Sequence, residues 1–257
     1  MTPVPPAQRL GHTIHRLGAI ASTQAEAARL ASAGVPEGVV VTATHQTQGR
    51  GRRGRGWLDC PGQNLLMSVV LRPRIAPGAA PRLSLVAAVA VVDALREVAA
   101  VPAAIRWPND VLVDGRKVAG ILPEASTDSA GALLRVILGI GINVNETAFP
   151  DEVRETATSL RLASGAAFEV EAVLDSVLAA LDLRYGQFLA GGLEAIREAW
   201  LARTWTIGRR ARGAGGVEGV AIDLAPDGAL VLRTDAGETV RVLAGEVTTE
   251  ADHAPAH

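Results

Sequence analysis

Between Gly49 and Trp57 the chain places four arginines and four glycines in nine residues, Gly-Arg-Gly-Arg-Arg-Gly-Arg-Gly-Trp, with Gln46 three positions upstream. Four like charges this close repel unless an anion sits among them. Each glycine costs a helix roughly 1 kcal/mol against alanine. The stretch is therefore a loop, neither helix nor strand interior, that becomes ordered when something polyanionic arrives. Glycine lets backbone N–H groups approach a ligand, and arginine supplies planar forks that match phosphate and carboxylate oxygens. Nucleotide phosphate, nucleic acid and membrane headgroups all fit at this stage. A solvated basic loop is the plainer reading.

A second feature is a lysine. Lys117 stands alone among 25 basic residues, the other twenty-four being arginine. Chance accounts for one stray surface lysine. A position where a compact ammonium fits and a guanidinium does not accounts for it better, and such a point charge suits a phosphate or a developing charge. Upstream, Trp107-Pro108-Asn109-Asp110 offers an amide and a carboxylate, and Ser22-Thr23 offers two hydroxyls. Plain readings exist for these too: a turn for Asp110, core packing for Trp107, a helix cap for Ser22 or Thr23.

The elements that position these groups follow from pattern. Residues 11–21 read as a short strand. A helix starts at Ser22 or Thr23, with Glu26 at capping-box distance from Thr23, and ends at Gly34. Gly38–Thr44 is a buried β-branched strand that delivers the chain into the arginine loop, and Asn64–Leu71 is another. Arg82–Ala100 is apolar nearly all round and reads as a buried helix. Asp114-Gly115 between two apolar runs signals a type I′ hairpin, which brings Lys117 near Asp110–Leu112. Leu133–Val144 is a long strand broken by Gly139 and Gly141, where a ligand or another backbone comes close. Phe168–Leu189 and Leu193–Thr204 are helices. From Thr206 short β runs alternate with glycine turns, as in a small barrel of about 207–247.

Composition limits the function. At 257 residues the chain suits one medium domain with a small appendage. Net charge is −2, so the positive charge is local to the loop and favours a small anion over a long groove. The single cysteine, Cys60, rules out a disulfide framework and fits a reducing cytoplasm. The start has no signal-peptide h-region, and the apolar run Leu83–Val92 is too short to span a bilayer.

Taken in order, Gln46–Trp57, Trp107-Pro108-Asn109-Asp110 with Lys117-Val118-Ala119-Gly120-Ile121-Leu122, and Gly139-Ile140-Gly141-Ile142-Asn143-Val144 together resemble the biotin–protein ligases. Ser22-Thr23 and Thr158-Ser159-Leu160 fit the same order. Asp227-Gly228-Ala229-Leu230 and Ala244-Gly245-Glu246-Val247 look like that family's small terminal barrel. The resemblance covers about residues 12–247. It implies an α+β fold: a mixed central sheet flanked by helices, as in class II aminoacyl-tRNA synthetases and biotin ligases, followed by a small C-terminal SH3-like barrel. The expected division is a catalytic domain of 1–205, a barrel domain of 206–250 and a disordered tail of 251–257, with residues 1–8 disordered as well.

The resemblance further implies a two-step ligase using biotin, ATP and Mg²⁺. Biotin and ATP give biotinyl-5′-adenylate, and the acyl group passes to one lysine of a biotin carboxyl carrier protein. By position, Ser22, Thr23, Gln46 and the backbone of Arg50 hold the ureido ring, with Gly120 and Gly141 admitting the ligand. Arg52 and Lys117 hold the carboxylate and α-phosphate. Trp57 and Asn143 face the adenine, and Arg55 and Asn109 join the nucleotide site. Asp110 is the candidate either for binding Mg²⁺ or for accepting the lysine proton. Arg106 stands where the family usually has lysine; this fits the chain's general arginine bias, since the position need not touch substrate. Only about 11 residues precede the first matched segment, so no DNA binding or repression is expected. No membrane partner is expected either, and the protein is a monomer or a weak homodimer. A lipoate or octanoate ligase is the alternative within enzymes. An RNA-binding protein is the alternative outside them, and the net charge and the 3% aromatic content argue against it.

Overall fold

The computed structural model describes residues 9–213, 216–243 and 248–249. The stretches 1–8 and 250–257, the Ala244–Val247 motif and the middle of the glycine turn at 213–216 lie outside the described residues.

Seven strands form one sheet: β1 (Thr13–Ile20), β2 (Val39–Gln46), β3 (Asn64–Leu71), β4 (Ala103–Arg106), β5 (Asp110–Val113), β6 (Arg116–Thr127) and β7 (Leu133–Asn143). Their order across the sheet is β1-β2-β3-β7-β6-β5-β4. Only β1–β2 is parallel, and helix α1 (Thr23–Ser32) makes that crossover. Every other neighbouring pair is antiparallel, so the sheet is mixed, as expected.

Side-chain alternation assigns the two faces. Val39, Val41, Val70 and Ile137 pack with Ala27 and Ala31 of α1. Val40, Val69, Leu71, Val136 and Leu138 turn the other way. They join the core built on α2 (Leu83–Ala99), α4 (Val170–Gly191) and α5 (Glu194–Leu201). Residues 77–99 are apolar and long enough to cross a bilayer, yet most of that stretch is buried inside the fold. The helix starts one residue later than read, after a 3-10 turn over Pro77–Arg82. A short helix, α3 (Leu160–Ser164), follows the Thr158-Ser159 pair, with the Ser159 hydroxyl accepting from Leu162 N at its N-terminus.

The capping box does not form. Ser22 occupies the N-cap position of α1 and makes no side-chain cap bond, while Glu26 pairs with Arg29 at 2.6 Å instead. The helix start is left open on the side that faces Gln46. The Asp114-Gly115 turn does take the expected form: both residues have positive φ, 50° and 76°, which a type I′ hairpin requires.

The C-terminal sheet has five strands: β8 (Arg210–Arg212), β9 (Glu218–Leu224), β10 (Leu230–Arg233), β11 (Thr239–Val242) and β12 (Thr248–Thr249), in the order β11-β10-β9-β8-β12. It shares one hydrophobic core with the larger sheet through Ala221, Leu224, Leu230 and Leu232. Trp107 joins the two. Its backbone N–H donates to Thr206 Oγ1 at 2.9 Å, and its indole Nε1 donates to Gly228 O at 3.0 Å. Burial of Trp107 matches the core reading, and the indole N–H adds a tie from the end of β4 to the barrel. Trp107→Phe keeps an aromatic ring in the core, gives up part of its volume and orphans the Gly228 carbonyl. A loss of at least about 1–2 kcal/mol in chemical denaturation is expected, from the orphaned carbonyl together with the lost volume; unchanged stability would show that the tie carries nothing.

Candidate active site

The groups singled out in the sequence come from five places in the fold. Gln46 ends β2, and Thr23 starts α1 beside it. The Thr23 backbone N–H donates to Gln46 Oε1 at 2.8 Å and its hydroxyl donates to the same oxygen at 3.1 Å. Ser68 of β3 donates in turn to Thr23 Oγ1 at 2.9 Å. The uncapped helix N-terminus has recruited an amide oxygen from the next strand, which fixes the Gln46 side chain and leaves its NH₂ as the group with donors to offer. Ser22 Oγ is buried without a hydrogen-bond partner.

Two adjoining cavities lie over the strand ends. The smaller, about 50 Å³, is lined by Thr23, Gln24, Gln46, Arg50, Gly120 and Gly141 among others. The larger, about 380 Å³, is lined by Arg55, Arg106, Asp110, Asn143, Phe149 and Val153 among others. Arg52, Trp57, Asn109 and Lys117 line both. Ser22 is absent from either lining, so the cavities gather every predicted site residue except that one.

Trp57 stands at the junction. A Cβ on Gly141 would come within 2.6 Å of the indole, and one on Gly120 within 2.9 Å. The room kept by the two glycines is thus filled by this ring, and Trp57 Nε1 is buried without a partner. Asn143 is fixed by donating from Nδ2 to Thr158 O at 3.0 Å.

The charged groups meet at the β5–β6 hairpin. The register pairs Leu112 with Lys117 and Asp110 with Gly120, so the lysine folds back toward the start of β5. Lys117 Nζ lies 2.8 Å from Asp110 Oδ1 and 5.5 Å from the Trp57 ring centroid. Arg106 donates to Asp110 Oδ2 at 2.9 Å. Burial alone would raise the Asp110 pKa; Lys117 and then Arg106 outweigh it and hold the carboxyl below its usual range. Arg52 donates to Asn109 Oδ1 at 2.8 Å, and Asn109 donates to Ile121 O at 3.1 Å. Arg106, read from the sequence only as a compositional change, lines the large cleft and completes the ion cluster, because β4 and β5 pair Arg106 directly with Asp110.

The arginine loop itself is a narrow hairpin. Trp57 N donates to Gly49 O at 3.0 Å, Gly51 N donates to Arg55 O at 2.7 Å, and Arg50 bridges Gly56. Arg52–Gly54 makes a single 3-10 turn at the tip. A Cβ on Gly49 would sit 2.5 Å from Trp57 O, so this glycine is needed for the close approach of the two arms.

Three contributions escaped the sequence reading. Gln24 crosses the face of Gly139, where a Cβ would meet its side chain at 2.8 Å. Phe149 and Val153 wall the large cleft from a segment with no periodicity. That segment is tied to β6 by Lys117 N donating to Thr156 O at 2.7 Å and Thr158 N donating to Lys117 O at 2.8 Å, a pairing that no local pattern announces. Among the described residues no group of three or more His, Cys, Asp or Glu could hold a metal ion, and both Asp110 oxygens already face cations.

The arrangement joins a small, amide-lined pocket to a larger cleft through a cationic gap, which suits bringing a carboxylate against a phosphate. Comparison with known proteins agrees. Residues 17–143 match the Biotin/lipoate A/B protein ligase family, and residues 206–248 match the biotin protein ligase C-terminal domain. The chain is 40% identical over 228 residues to the biotin–[acetyl-CoA-carboxylase] ligase of Paracoccus denitrificans, covering 85% of this chain and 93% of that one. It is 40% identical over 223 residues to the bifunctional ligase/repressor BirA of Bacillus subtilis, covering 85% and 68% respectively. The structure of Aquifex aeolicus biotin protein ligase in complex with biotin and ATP superimposes with a TM-score of 0.81 at 30% identity, covering 93% of this chain and 98% of that one. By fold, site and sequence, the chain belongs to the biotin protein ligase family.

Proposed function

We propose that this chain activates biotin with ATP and transfers the biotinyl group to a lysine of a biotin carboxyl carrier protein. The observation that carries this reading is the placement of Lys117: its ammonium sits between the two cavities, against Asp110 and over Trp57. The small pocket takes the acid and the large cleft takes the nucleotide. The lipoate alternative is disfavoured, since the terminal unit matches the biotin protein ligase C-terminal domain. Residues 1–205 are read as the catalytic unit and 206–250 as the barrel unit.

The first step joins two anions. A biotin carboxylate oxygen attacks the α-phosphorus, a P–O bond forms, and the bond to the β-phosphate oxygen breaks to release pyrophosphate. Positioning and cationic stabilisation supply the rate. Lys117 and Arg52 are the clamps, with Arg55 and Arg106 further along the cleft. Gln46 and Thr23 recognise the ureido ring, with Ser22 behind them, the Arg50 backbone alongside and Gly120 beneath. A buried ureido left unpaired would be costly. Trp57 must move off Gly120 and Gly141 as the ligand enters; it then closes the junction, with Asn109 and Asn143 toward the nucleotide. In the second step the carrier amine attacks the acyl carbon, the C–O bond to phosphate breaks, AMP leaves and the amine loses a proton.

Asp110 is read as the anion that keeps Lys117 and Arg106 aimed. A carboxyl held below its usual range is a weak proton acceptor, and both of its oxygens are engaged. Mg²⁺ is therefore read as arriving with the triphosphate, as part of the nucleotide substrate. The exposed free Cys60 suits a reducing cytoplasm.

Two outcomes are expected. Arg52→Gly still makes adenylate but loses it about tenfold faster or more, the worth of one or two charge-assisted hydrogen bonds. Rapid-quench separation of bound and free adenylate reads this, and retention equal to the parent contradicts the assignment. Asp110 has a folded pKa below its unfolded value, so its contribution to stability is present above about pH 4 and lost as pH falls through the lowered pKa. The melting temperature of Asp110→Asn is therefore expected to fall less steeply with acid than that of the parent. Parallel curves would remove the ion cluster from the stability account.

A further inference from the structure

His45 and Asp59 lie outside the machinery described so far, yet Asp59 is the most thoroughly buried acid near the arginine loop: its carboxylate is 0% exposed. A buried carboxylate is costly unless it is paired and hydrogen-bonded. Its two partners come from consecutive residues at the end of β2. His45 Nδ1 lies 2.9 Å from Asp59 Oδ2, and the Gln46 backbone N–H donates to Asp59 Oδ1 at 3.3 Å. With the carboxylate ionised, the ring nitrogen is the donor.

The chain positions give this contact its consequence. His45 and Gln46 are where the chain leaves the sheet for the loop, and Asp59 is two residues beyond Trp57, where it comes back. Between them the hairpin rungs at Gly49–Trp57 and Gly51–Arg55 are the backbone ties across the two arms. The same Gln46 whose N–H binds Asp59 uses its side chain to bind Thr23. Outside the carboxylate, Gly62 N donates to Thr44 O at 2.8 Å, and Thr47 N and Gln48 N tie the outgoing arm to Ile20 and Ala21. The buried carboxylate is the side-chain tie at the root of the loop, and it couples the ligand-facing amide to the arm that carries Trp57.

We infer that Asp59 is a positioning residue: its carboxylate clasps the root of the arginine loop to His45 and Gln46, and so holds Trp57 and Arg52 over the junction of the two cavities. Without the clasp the loop closes from a broader ensemble, and closing over a bound adenylate costs more chain entropy. That last consequence rests on the ligase reading; the clasp itself does not.

The test uses limited trypsin digestion of the ligand-free protein, with cleavage after the loop arginines read by mass spectrometry. Digestion follows the population of the open loop. Asp59→Ala loses both partners at once and is expected to raise cleavage in the loop by roughly tenfold or more, with other sites unchanged. Asp59→Asn, whose amide oxygen still accepts from Gln46, should restore most of the protection. His45 is 30% exposed, so His45→Ala is a second variant with little risk to folding, and it should move in the same direction by a smaller factor. With biotin and ATP present, adenylate escape should quicken in the same order across the variants. Parental loop cleavage in both alanine variants would overturn the inference. So would a rise spread equally over all sites, which is general destabilisation. Because the cleavage is read without substrate, it stands or falls apart from the biotin assignment.

Discussion

Two cations close on one carboxylate at the centre of this protein. Lys117 and Arg106 both meet Asp110, and Arg52 stands one residue away on Asn109. A site that must gather two anionic substrates has to store positive charge while it is empty, and stored charge repels itself. Asp110 solves this. It satisfies the cations at rest, stays ionised because they surround it, and leaves them oriented toward the space where substrate charge arrives. Arginine forks reach the cleft wall, while the compact ammonium fits at the junction beside Trp57, where the Gly120 backbone leaves room for it: a Cβ there would lie 3.1 Å from Lys117 Nζ.

That cluster exists only because the sheet is in register. The tight Asp114-Gly115 turn sets Leu112 against Lys117, a register shift between Val111 and Leu112 then brings Asp110 opposite Gly120, and β4 sets Arg106 against Asp110. A one-residue slip would turn Lys117 to the other face. The core beneath the sheet, with α2 and α4 packed on it, holds these strands. The barrel contributes through Trp107, whose indole reaches Gly228 from the residue next to Arg106. The loop is less well secured than the strands: its arms are joined by the rungs at Gly49–Trp57 and Gly51–Arg55, by Gly62 N on Thr44 O at the root, and by the Asp59 carboxylate on His45 and Gln46.

Much of this could be read from the sequence because the signals were local. The Asp-Gly turn, the β-branched runs and the glycine-rich basic loop each carry their physics in adjacent residues. The solitary Lys117 stood out against a chain that otherwise uses arginine. What escaped depends on contacts between distant segments. Ser22-Thr23 with Glu26 reads as a capping box, but Gln46, 23 residues on from Thr23, supplies the oxygen instead. Gly120 and Gly141 read correctly as close-approach positions, yet nothing local says that the approaching group in the ligand-free chain is an indole. Arg106 looked like a compositional substitution until strand pairing placed it on Asp110. The wall at Phe149 and Val153 has no periodicity, and its position follows from backbone pairing at Lys117.

The central claim is that the cationic gap brings a biotin carboxylate to the α-phosphate of ATP. The measurement that tests it most directly is ATP–pyrophosphate exchange by the purified protein with Mg²⁺, comparing biotin with lipoate as the acid. The account predicts exchange that depends on biotin and is lost in Lys117→Ala. Exchange supported by lipoate alone, or by neither acid, would contradict it.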